Sequence, residues 1–112
     1  VASHCELLKS AVENLYPYLK RFLKDEFLPV ISNVTTLAYS TKDEAIKLLS
    51  AQLTSPVKYK QSIKACEDKV DLFIEFGNGI VLKGLNKKIT AKPTLNVSDM
   101  KTLEMVIGEL ND

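Results

Sequence analysis

Val57-Lys58-Tyr59-Lys60-Gln61-Ser62-Ile63-Lys64-Ala65-Cys66-Glu67-Asp68-Lys69-Val70-Asp71-Leu72-Phe73-Ile74-Glu75-Phe76 is the stretch on which the reading of this chain turns. Its apolar residues Tyr59, Ile63, Cys66, Val70 and Phe73 recur at alternating spacings of four and three, which places them in one stripe along a helix. Lysines, aspartates and glutamates take the other sides. Ser55 and Pro56 offer a side-chain cap and a first helical residue with fixed φ, while Gly77-Asn78-Gly79 supplies residues that tolerate positive φ at the far end. The spacing predicts one long helix over 57–76.

Outward from that stretch the pattern stays helical. Ser3 and Glu6 form a capping box ahead of Leu7, Leu8, Ala11, Val12 and Leu15, and Pro17 predicts a break near Tyr16. Leu19, Phe22, Leu23, Phe27 and Leu28 resume the stripe up to Pro29. Beyond it Val30, Ile31, Val34, Leu37 and Ala38 keep helical spacing, but their β-branched content leaves helix or strand open over 30–38. Thr41 and Glu44 make a second capping box before Ala45, Ile46, Leu49 and Leu53.

Toward the C-terminus, Gly84 and Asn86 punctuate a run carrying Lys83, Lys87, Lys88 and Lys92, which predicts an irregular or short extended segment over 80–93. From Ser98, the residues Met100, Leu103, Val106, Ile107 and Leu110 predict a last amphipathic helix. The fold class expected is mainly α: a compact bundle of five to six short amphipathic helices in a single domain, 1–112, stapled by one disulfide.

The composition is globular, with 46% apolar and 26% charged residues and a formal net charge of +1, so nothing in the charge balance draws the chain to nucleic acid. No apolar run is long enough to span a bilayer. The sequence opens on Val1, carries two cysteines, and contains two sequons, Asn33-Val34-Thr35 and Asn96-Val97-Ser98. Together these predict a secreted chain with glycosylation candidates at Asn33 and Asn96 and a disulfide between Cys5 and Cys66. Closing a loop of about 60 residues would contribute roughly 4 kcal/mol. Two separate buried thiols, or pairing between two subunits of a homodimer, remain open.

Catalytic chemistry is sparse. His4 is the single histidine, so any nucleophile–histidine arrangement rests on it, and no second Cys or His stands at a zinc-ligand spacing. Asp68, Asp71 and Glu75 read as a solvated helix face rather than a calcium site. The glycines at 77, 79 and 84 match no nucleotide cradle, and the lysines of 83–92 have no interleaved aromatics for base stacking; they read as a solvated loop, with phosphates or an anionic membrane face as the alternative contact. The expectation is a non-enzymatic protein with no cofactor and no metal.

Four of the eight aromatic residues, Tyr16, Tyr18, Phe22 and Phe27, crowd one segment. They point to an apolar cavity for a hydrophobic or lipid-like small molecule, lined by Leu15, Tyr18, Leu19, Phe22, Val70 and Phe73. The alternative is a surface-active or structural protein that turns the same faces toward an air–water or membrane interface, or self-associates. A secreted ligand for a receptor is a third reading. The span from Cys5 to Cys66, with short helices between, resembles in outline the secretoglobin family of small secreted helical dimers. Five helical pieces between the cysteines, and more than forty residues after the second, depart from that family's pattern.

Overall fold

A computed structural model describes residues 6–111. It is not a helix bundle: among the described residues five α-helices stand beside two small β-sheets. Two compact units result, one ending at Ser62 and the other beginning at Ile63.

In the first unit α1 (Glu6–Phe22) is continuous through Pro17, so the expected break does not form. Loss of one amide hydrogen bond is tolerated there, and Lys20 and Arg21 in the last turn favour the negative end of the helix dipole. The Ser3 cap expected ahead of α1 lies outside the described residues. After α1 the chain turns extended: β1 (Glu26–Ile31) pairs antiparallel with β2 (Ala38–Thr41). Strand, not helix, is therefore the outcome for 26–31, which overturns the stripe read through Phe27 and Leu28. The register shifts between Glu26 and Val30, around Pro29, which has no amide to give the ladder.

Side chains close the hairpin turn. The buried Ser32 accepts at its hydroxyl from the amides of Val34 at 3.0 Å and Thr35 at 3.4 Å, and its carbonyl accepts from Thr36 N at 2.9 Å. Thr36 adopts a positive φ of 64°. α2 (Lys42–Gln52) begins where the spacing predicts, with the Thr41 hydroxyl accepting from Glu44 N at 3.4 Å and donating to Glu44 Oε1 at 2.9 Å. It packs on α1 and β2, and Ala45, 1% exposed, is its tightest contact with the core. Ser55 does not open the next helix, because its hydroxyl donates back to Ala51 O at 2.7 Å and so finishes α2.

The organising stretch is where the sequence reading fails. Helix α3 runs only from Tyr59 to Cys66, a single 3₁₀ turn follows at Glu67–Lys69, and Phe73–Phe76 is strand β3. Val70 has extended dihedrals (φ −133°, ψ 155°), which break the helical stripe. Leu72, Phe73, Ile74 and Phe76 are the aromatic and branched residues that suit a pleated strand.

The second unit then runs β3, α4 (Val81–Ile89), β4 (Thr94–Val97) and α5 (Met100–Leu110). β3 and β4 are parallel, paired Phe73 to Thr94 through Phe76 to Val97, so α4 is the crossover of a β-α-β unit. The segment 80–93, expected to be irregular, is thus mostly helical, since Val81, Leu82, Leu85 and Ile89 keep a helical period across Gly84. The last helix is confirmed, with Asp99 as its cap and Thr102 completing the box. Nor is the predicted staple present: Cys66 is a free, half-buried thiol whose pKa is pushed up by burial, and Cys5 lies outside the described residues.

Candidate functional site

Residues of the second unit build an open cleft of about 450 Å³ where α4 hands over to β4. Lys83 and Lys87, four apart on one face of α4, form one side, and Thr90, Ala91, Lys92, Pro93 and Thr94 form the other. Its shape is fixed by buried polar contacts. Asn86, 3% exposed, donates from Nδ2 to Thr94 Oγ1 at 3.0 Å and so ties the helix to the start of the strand. The Thr90 hydroxyl accepts from Lys92 N at 3.1 Å and turns the connecting loop back on itself.

Thr90 also donates to the Glu67 carboxyl, which, with the Lys64 ammonium 3.3 Å away and Lys92 beyond, holds that carboxyl below the usual carboxylate range. Among the described residues Lys64–Glu67 is the ion pair, so Lys83, Lys87 and Lys92 face the cleft with no carboxylate within bridging distance. Three ammonium groups around a hydroxyl-bearing loop, of which Lys92 also acts on Glu67, make a receptor for an anion.

A second cleft of about 310 Å³ adjoins the first through Lys83 and is lined by Ile80, Leu95, Met105 and Val106 with polar Asn96, Thr102 and Glu109. The loop above it is braced from two directions. Glu75 accepts at Oε2 from Leu82 N and at Oε1 from Lys83 N, both at 3.0 Å, filling the positive end of α4 with a carboxylate of its own unit. Asn96 Nδ2 faces the carbonyls of Glu75 (3.3 Å), Gly77 (3.5 Å) and Gly79 (2.8 Å), fixing a turn in which both glycines have positive φ.

No protein-family model matches the chain. It is 41% identical, over 97% of its length, to the malonyl CoA-acyl carrier protein transacylase of Bacillus subtilis, and 36% identical over 94% to that of Staphylococcus aureus. Its resemblance is to one third of a transacylase. The chain spans 35% of the Bacillus relative and 34% of the Staphylococcus one. Among solved structures, the malonyl-CoA:acyl carrier protein transacylase of Helicobacter pylori superposes with a TM-score of 0.89 and 44% identity, over 97% of this chain and 36% of that one. A type II PKS acyl-carrier protein in complex with its malonyl-transacylase matches with a TM-score of 0.80 and 28% identity, over 95% of this chain and 35% of that one.

These transacylases overturn the expectation of a non-enzymatic carrier, and with it the surface-active alternative, since the relatives are enzymes by name. A hydrophobic small molecule or an interface as partner is overturned likewise, since the relatives' names carry malonyl-CoA and acyl carrier protein. Secretion is overturned on the same ground, and the secretoglobin resemblance falls with the two sheets.

The six residues expected to line an apolar pocket are divided between the units. Leu15, Tyr18, Leu19 and Phe22 lie on α1, while Val70 and Phe73 lie beyond the unit boundary. Tyr18 and Phe22 are 65% and 67% exposed and stack on one another at 6.3 Å. Of the sequon asparagines, Asn33 sits in the hairpin turn with its carbonyl accepting from Lys58 N, and Asn96 uses in the loop brace the nitrogen that a glycan would need. His4 lies outside the described residues, and among those described no group of His, Cys, Asp and Glu is arranged to hold a metal. Sequence reasoning favoured a solvated loop for the lysines of 83–92 over a contact for phosphates or an anionic membrane face. It missed Asn86, Thr90 and Thr94, whose one signal was a polar Asn86 on the otherwise apolar stripe of Leu82, Leu85 and Ile89.

Proposed function

We propose that this chain forms part of a malonyl CoA-acyl carrier protein transacylase and that its lysine cleft receives a phosphate group of one of the two thioester partners. The 41% identity with the Bacillus transacylase, sustained over almost the whole chain, carries the reading. In the reaction the malonyl carbon–sulfur bond to coenzyme A breaks and one to the carrier's thiol forms. The carrier's thiol proton ends on the released coenzyme A. Such an exchange needs a group that accepts and returns a proton near neutral pH. Within this chain the proposal gives that role to His4, the single imidazole.

Coenzyme A is a polyanion through its phosphates, and Lys83, Lys87 and Lys92 supply the matching charge. The test is malonyl transfer by the full-length polypeptide, followed as the mass gain of holo acyl carrier protein supplied with malonyl-CoA. Transfer is expected, and His4→Ala should lower kcat by about 10²–10⁴ without changing the circular dichroism spectrum. A folded full-length protein that moves no malonyl group would overturn the assignment. Lys87→Glu should raise KM about tenfold for the partner whose phosphate the cleft receives, and added salt should narrow the gap. A rise for malonyl-CoA assigns the cleft to the nucleotide, and a rise for the carrier assigns it to the carrier's phosphorylated arm. No change in either KM removes the cleft from the reaction.

A further inference from the structure

The two threonines of the lysine cleft differ in what they have left to offer a ligand. A hydroxyl has one proton to give and two lone pairs that receive. At the buried Thr90 both neighbours are fixed in kind: the Glu67 carboxylate can only accept, and the Lys92 amide can only donate. Lys64 Nζ, 3.3 Å from Glu67 Oε1, favours the charged, accepting form of that carboxyl. The proton of Thr90 is therefore committed to Glu67, and one lone pair to Lys92 N at 3.1 Å. A single lone pair remains. Thr94 comes out the other way, because its oxygen accepts from Asn86 Nδ2 at 3.0 Å and no acceptor among the described residues takes its proton. Thr94 can donate into the cleft, and Thr90 can only accept.

That polarity, added to the charge, narrows the anion. Lys83, Lys87 and Lys92 line the cleft together, and even with part of the Lys92 charge turned to Glu67 they match a doubly charged group better than a singly charged one. A phosphate monoester carries most of two negative charges near neutral pH, and a diester carries less. One of its oxygens takes the Thr94 proton. The Thr90 lone pair calls for a donor close beside the phosphate, and left unmet it is a buried acceptor without a partner.

We infer that the cleft recognises a phosphate monoester with a free hydroxyl on the neighbouring carbon, and that Thr90, its proton held by Glu67, sets this preference. For the source of that group the inference rests on the transacylase reading. Of the two thioester partners, coenzyme A has it, as a ribose phosphate flanked by a ribose hydroxyl. The carrier's arm is joined through a phosphodiester with no hydroxyl on either neighbouring carbon. The cleft therefore takes the nucleotide end of malonyl-CoA and not the carrier.

The test titrates the full-length polypeptide with adenosine 3′-monophosphate, its 2′-deoxy analogue and adenosine 5′-monophosphate, following amide NMR shifts over residues 87–94. The 3′-nucleotide should bind about tenfold tighter than either of the others. Equal affinities overturn the inference, and so do shifts that leave 87–94 unmoved. Thr90→Val should level the three affinities while the lysines still hold all three ligands. Glu67→Ala keeps the hydroxyl but frees its proton to turn into the cleft, so it should level them too; a preference that survives there overturns the role given to Thr90. The comparison of nucleotides on the unaltered protein decides the matter if either variant fails to fold. Malonyl transfer is scored separately. A preference for the 3′-nucleotide without transfer keeps the site and rejects the proposed activity, whereas transfer with no preference does the reverse.

Discussion

The two sheets of this molecule solve the same pairing problem by different means. β1 and β2 are neighbours in sequence, and their six-residue connection satisfies its own backbone through Ser32 and Thr35. β3 and β4 are separated by a loop, a helix and a second loop, so nothing local sets their register. Instead Asn96, Glu75 and Asn86 reach across elements to do it. Local closure depends on turn geometry and tolerates poor packing. Non-local closure must offset a larger chain entropy, and here polar side chains that cross between elements contribute to it.

This contrast can be broken or sharpened by substitution. The largest effect is expected at Tyr39, buried in β2 and edge-on to Phe27 at 6.0 Å. Tyr39→Ala should cost about 3 kcal/mol in urea denaturation. Loss confined to signals from residues up to Ser62 would establish the units as separately cooperative. Equal loss at β3 and β4 would erase the contrast. Next comes Asn86→Ala, which strands the Thr94 hydroxyl and should cost about 2 kcal/mol. Adding Thr94→Val should recover much of it, and a double-mutant cycle with no coupling would show that the cross-element bond does not hold the parallel pair. Thr41→Ala removes the cap of α2 and should cost about 1 kcal/mol by the same assay.

Thr36→Gly should run the other way, by about 0.5 kcal/mol, because relief at φ 64° slightly exceeds the added freedom of the unfolded chain. Destabilisation instead would mean that the threonine side chain contributes more to the hairpin than its strain costs. The smallest effect needs no mutation. Glu67 and Asp99, both in the second unit, have carboxyls held low, by the Thr90 hydroxyl and by the Thr102 amide respectively. A carboxyl whose folded pKa lies below its unfolded one stabilises above the unfolded value and loses that contribution as pH falls through the folded one. Asp99 is exposed and Glu67 half-buried, so solvent screens both and the effect is modest. Urea midpoints measured from neutral pH down past the carboxylate range should therefore fall, and they should fall first in the second unit.

How much of this was legible depended on whether the deciding signal was local. The Thr41–Glu44 box was readable because it is complete within one helical turn, and so was the last helix, though its cap is Asp99 and not the Ser98 from which the spacing was read. The 57–76 stretch was not, because Val70 and Phe73 satisfy a helical period from Ile63 and Cys66 while Leu72, Ile74 and Phe76 satisfy a strand period. Only the partner strand at 94–97 decides between them, and it lies about twenty residues away. α4 was hidden by Gly84 and by the β-branched Ile80-Val81 pair, which tertiary contact with β4 overrides. At the candidate site, Lys83, Lys87 and Lys92 were visible as charge, yet their convergence needs the turn at Thr90. Function was least legible of all. One histidine and no metal cluster read as the absence of an enzyme, when the chain matches only a third of the enzymes it resembles.

Asn96 has a consequence for which residues the chain can accept at that position. Its amide presents two protons to three carbonyl oxygens. Aspartate would set a negative charge against the same three oxygens, serine would fall short of the loop, and glutamine would overreach it. In a saturation library scored for folded protein, position 96 should therefore tolerate almost nothing but asparagine, although it is only half-buried and stands on a surface strand. Hydrogen-bond geometry by itself is thus reason enough for the asparagine of a sequon to stand at this position.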